Sequence, residues 1–119
     1  MKRKVYKKSS TLHVGDEIKV DVSVYLFQEG KQWLAYCPVL ELSSYGDSEE
    51  DAKNAFEDAL EIFITETTAN GSLEKALLKL GWILKQQPEP MYQPPAVNGE
   101  KMFKKNPANV YNELVSLPL

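Results

Sequence analysis

A small α+β sandwich, with helices on one face of a mostly antiparallel sheet, is the fold class this 119-residue sequence predicts. Three observations carry that expectation. Over residues 18–27, Ile18, Val20, Val22, Val24 and Leu26 alternate with Lys19, Asp21, Ser23, Tyr25 and Phe27, as in a strand with one buried face. From Ala52 to Phe63 the apolar residues recur at helical spacing. Turn signals stand between these segments at Gly30, Pro38, Gly46 and Asn70–Gly71. The length fits one domain, and a chain near this size buries roughly two-thirds of its unfolded surface.

Taken in order, residues 1–17 are polar and basic and read as a loose arm, with a short strand at Lys4 to Lys7 and "HVGDE" as a turn-like end. Ile18, Val20, Val22, Val24 and Leu26 then define the buried face of a long first strand. "QEGK" suits a hairpin link. Gln32 to Cys37 returns as a second strand, with Trp33, Ala35 and Cys37 on one face and Leu34 and Tyr36 on the other. Pro38 ends it, because proline has no N–H for a ladder. Leu40 to Tyr45 is a short third strand closed by Gly46.

Ser48 has the chemistry of an N-cap, and Asp51 completes a variant capping box. Glu49, Glu50 and Asp51 sit where the helix dipole favours negative charge. Ala52, Ala55, Phe56, Ala59, Leu60 and Phe63 form one apolar stripe, and the small alanines allow close approach to a sheet. The helix should fade over Thr65 to Thr68. Ser72 is placed to cap a second helix through Leu80, with Gly81 as its stop. Trp82 to Lys85 reads as the final strand of the sheet, reached by a right-handed crossover and so paired in parallel. The domain therefore spans 18–86 in the order β-β-β-α-α-β. Residues 87–119 are proline-rich and read as an extended tail with one or two helical turns after Pro107.

Composition narrows the function classes. The net charge of −3 does not suit a chain that grips polyanions with its whole surface. No stretch approaches the roughly 18 apolar residues of a membrane span, and no apolar signal core follows the basic start. Cys37 is the only cysteine, which rules out an internal disulfide and suits a cytoplasmic location.

The segment from Ile18 to Lys85 resembles the HicB family of antitoxins. The residues behind the resemblance are the alternating first strand, the aromatic second strand with its proline ("WLAYCP") and above all "YGDSEEDAKNAFEDAL". Gly46-Asp47-Ser48 and Glu49-Glu50 match the family's helix start, and Ala52 stands one place beyond the usual alanine. The link "VLELSSY" departs from it, lacking the usual Pro-Gly-Cys-like step. The resemblance implies a partial RNase H-like fold without nuclease carboxylates. It also implies a HicA-like partner, a small mRNA-cleaving toxin whose active site the antitoxin blocks. Many family members carry a C-terminal DNA-binding helix-turn-helix or ribbon-helix-helix. The prolines after Gln87 do not suit one, so DNA binding does not carry over.

Catalytic chemistry finds little to build on. His13 is the one histidine and falls in an expected loop, without an evident partner for a general base. Cys37 reads as a buried structural thiol. Asp47, Glu49, Glu50 and Asp51 have the chemistry to hold a divalent cation, but helix capping and the dipole account for them. No phosphate-binding glycine motif is present. Lys2, Arg3, Lys4, Lys7 and Lys8 around Tyr6 could meet phosphates, or simply solubilise the arm. The expectation is thus a protein with no catalytic residues, metal or cofactor. Its partner-binding candidates lie at the first helix: Asp47, Glu49, Glu50, Lys53, Glu57, Asp58 and Glu61. A solvated helix face explains these acids too; as a site, they would steer a basic toxin and compete with RNA. The apolar residues of the tail suggest docking on the domain or on a second copy, and an open sheet edge would favour a homodimer. The competing reading is a solitary regulatory or scaffold domain with no toxin; a metal hydrolase built on the helix-start acids ranks last.

Overall fold

The alternation at 18–27 builds the longest described strand of the computed structural model, which describes residues 5–8, 11–14, 17–85, 91–96 and 106–118. The elements are β1 (Val5–Lys8), β2 (Thr11–Val14), β3 (Glu17–Glu29), β4 (Gln32–Cys37), β5 (Leu42–Gly46), α1 (Glu49–Ala69), α2 (Leu73–Lys79), β6 (Ile83–Lys85), β7 (Met91–Gln93) and β8 (Asn109–Pro118). Ile18, Val20, Val22, Val24 and Leu26 are each at most 3% exposed, so the period of two does put one face of β3 in the core.

β3 is the spine of a six-stranded sheet. Ile18 pairs with both His13 and Leu117, and Leu26 with both Ala35 and Asn109. β8 therefore runs along one edge of β3, while β2 and β4 share the other, with β1 and β5 beyond them. Every described strand pair is antiparallel. The β3–β4 hairpin turns at Gly30, whose φ of +63° suits glycine.

The fold departs from several expectations. The order is β-β-β-β-β-α-α-β-β-β, not β-β-β-α-α-β. Trp82 to Lys85 gives β6, which joins no parallel pair and instead pairs with β7 in a separate two-stranded sheet. The segment after Pro107 is a ten-residue strand, not helical turns in a tail. The reason is non-local: the free edge of β3 offers partners to ten consecutive positions of this segment, which a one- or two-turn helix cannot match. Its alternation, with Tyr111, Glu113, Val115 and Leu117 on the helix side, fits that edge. At the other end, β1 and β2 of the expected loose arm pair antiparallel, and His13 lies in strand β2 rather than a loop. Lys4, Gly15 and Asp16 lie outside the described residues, as do 87–90 and 97–105 of the expected tail.

The helices cover the sheet as the stripe predicts. Ala52, Phe56 and Leu60 are buried, and Phe63 packs partly buried against the same core. Ser48 caps α1, its hydroxyl accepting from the Asp51 N–H at 3.0 Å. α1 continues through Thr65 to Thr68 instead of fading, and there the Thr67 hydroxyl donates back to the Phe63 carbonyl at 2.7 Å. Ser72 does not cap α2 with its side chain; its hydroxyl points back to the Thr67 carbonyl, 3.5 Å away. Trp82, 3% exposed, donates its indole N–H to the Val39 carbonyl at 2.8 Å and ties the end of α2 to the turn after β4. Among the described residues no helix is long and apolar enough to cross a membrane.

Candidate functional site

One flank of α1 looks across a shallow groove at β8. On a helix, residues three, four and seven apart share a side, so Glu49, Glu50, Lys53, Asn54 and Glu57 line this flank together. The opposite wall is Tyr111, Asn112 and Glu113, and the space between is about 750 Å³. Tyr111 and Glu113 face the helix layer because they pair with Val24 and Val22 on the inner face of β3.

The walls are joined at two points. The Asn109 amide donates to the Glu49 carboxylate at 2.9 Å. The Lys53 ammonium sits 4.9 Å from the centroid of the Tyr111 ring, a cation–π contact. The Tyr111 hydroxyl is buried with no hydrogen-bond partner among the described residues. Burial first, then the charges of Glu113, Glu57 and Cys37, push its pKa far above the ordinary phenol value, so it stays protonated. Glu113 is half-buried, and burial followed by the charge of Glu57 raises its pKa above the usual carboxylate value. The groove therefore carries Glu49, Glu50, Glu57 and Glu113 against Lys53, which is already engaged with a ring. This arrangement can accept hydrogen bonds from lysine or arginine, and it lacks the cations to neutralise itself.

Of the expected site residues, Glu49, Glu50, Lys53 and Glu57 line the groove. Glu61 lines the next depression along α1, with Leu60, Ile64 and Leu114. Asp47 and Asp58 are exposed and line neither. Sequence reasoning missed Asn109, Tyr111, Asn112 and Glu113, because their segment read as tail. The available signal was its alternation of strand-forming residues between Pro107 and Pro118, blurred by a carboxylate on the inward side.

Elsewhere, Cys37 is buried, and desolvation pushes its thiol up to about 11, the mark of an unreactive cysteine. Among the described residues no three histidines, cysteines or carboxylates converge on one point, the acids of the helix start included. Compared with family models, characterised proteins and solved structures, the chain matches none.

Proposed function

We propose that this chain is a non-enzymatic binding protein whose groove between α1 and β8 docks a basic protein partner. The partner we propose is a small mRNA-cleaving toxin of the HicA kind, which the chain blocks in the cytoplasm as an antitoxin. The observation that carries the binding reading is the uncompensated acid of the groove: Glu49, Glu50, Glu57 and Glu113 with a single engaged lysine. An enzyme that grips RNA needs a basic surface for phosphates. An acidic groove is complementary to that surface, speeds encounter and competes for it. The choice of toxin rests on the motif resemblance at "YGDSEEDAKNAFEDAL".

The test is co-purification with the small basic product of the adjacent gene, followed by an RNA-cleavage assay with both proteins. Wild type should suppress cleavage. Glu50→Lys with Glu57→Lys should weaken suppression at least tenfold, a loss of about 1.4 kcal/mol or more, whereas Asp58→Lys, outside the groove, should leave it unchanged. No complex, or a complex indifferent to the paired reversal, removes the reading. A second reading, a solitary regulatory or scaffold domain, is favoured by the strand after α2, which pairs in a separate two-stranded sheet instead of in parallel within the main one. It predicts groove-dependent binding of a basic protein with no effect on RNA cleavage.

A further inference from the structure

We infer that two copies of this chain join through the outer edge of β8, so that their sheets run on as one. A strand inside a sheet satisfies its N–H and C=O groups on both sides. β8 does so with β3 through ten consecutive positions, and among the described residues no strand pairs its other side. Natural edges are guarded by lysine, an inward-pointing charge, internal proline, a bulge or short length, and of these β8 has only the inward Glu113. β8 has ten residues, no lysine and an unbroken register, and its one proline stands at the end. Val110 and Leu114, on the face away from the helices, are 45% and 54% exposed.

Charge and register select a second copy as the occupant. Glu113 is the only charged residue of the strand. An antiparallel two-fold centred on Asn112 sets Val110 against the partner's Leu114, and the reverse, giving two apolar cross-strand pairs. It sets Glu113 against the partner's Tyr111, so no carboxylate opposes its own copy. Centring on Glu113 would oppose like charges directly, and centring on Tyr111 would break both apolar pairs. The axis stands normal to the sheet, so both copies keep α1 on the same side and their two acidic grooves open on one surface. The pairing holds whatever partner the groove takes.

Sedimentation of the full chain over a concentration series tests this. Wild type should reach twice the 13.5 kDa chain mass. Val110→Lys with Leu114→Lys should be monomeric, as should Val110→Glu with Leu114→Glu, and an equal mixture of the two variants should recover the dimer. Wild type that stays monomeric, a lysine variant that stays dimeric, or a mixture that stays monomeric overturns the proposal. Hydrogen exchange on wild type gives the answer without variants: protection of β8 amides should fall on dilution while that of α1 holds. Equal behaviour of the two elements overturns the pairing. So does β8 protection that appears only when a different protein is added, which would give the edge to a foreign strand.

Discussion

Glu113 occupies an inward position of β8, between Tyr111 and Val115, where an apolar side chain would serve the core better. Its pKa lies above the unfolded value because burial and Glu57 both oppose its charge. A raised folded pKa means the folded state binds the proton more tightly. The stability this contributes is fully present below the unfolded pKa and is lost as pH rises through the folded one. Glu113→Gln should therefore raise the thermal midpoint at neutral pH and flatten the decline across the mildly acidic range. At a half-buried, solvent-screened position the gain should be no more than about 0.5 kcal/mol. A lower midpoint for the variant would contradict the assignment. On the proposed binding reading, the same substitution should help the fold and weaken binding of a basic partner.

At the scale of elements, the junction of β5 and α1 decides how the helix lies on the sheet. A Cβ at Gly46 would overlap the Ala52 N–H and the Asp51 backbone, so the strand end and the first helical turn touch through bare main chain. The Ser44 hydroxyl donates to the Ala55 carbonyl at 3.2 Å along the same contact. Gly46→Ala should cost about 1–3 kcal/mol, the range for overpacking a close contact, as a lowered urea midpoint. By contrast, a Cβ at Gly30 or Gly71 meets nothing within 4 Å; there the positive φ alone makes the demand. The "YGDS" stretch thus serves two ends: glycine for the close approach and serine for the cap.

For the whole molecule, the last strand is part of the core. Val115 and Leu117 are 2% and 0% exposed, and β8 supplies partners to ten positions of β3. A chain ended after Asn106 would bare that edge and open the core beneath α1. It should show no cooperative urea transition by circular dichroism, whereas a detachable tail would leave the transition intact. The groove would vanish with the strand, because one of its walls is Tyr111, Asn112 and Glu113.

What the sequence determined by itself is local. Alternation from Ile18 to Leu26, the stripe from Ala52 to Phe63 and the Ser48 cap were legible because each depends on neighbours within a few residues. Half of the groove was legible for the same reason: Glu49, Glu50, Lys53 and Glu57 share a helix flank by spacing alone. The tertiary structure decided what depends on distant backbone. Which strand takes the free edge of β3, and in which direction, is set by pairing between residues far apart in the chain, such as Val20 and Val115. Periodicity marks β6 and β8 each as able to form a strand but does not say which of them lies along that edge. The second wall of the groove followed from that placement.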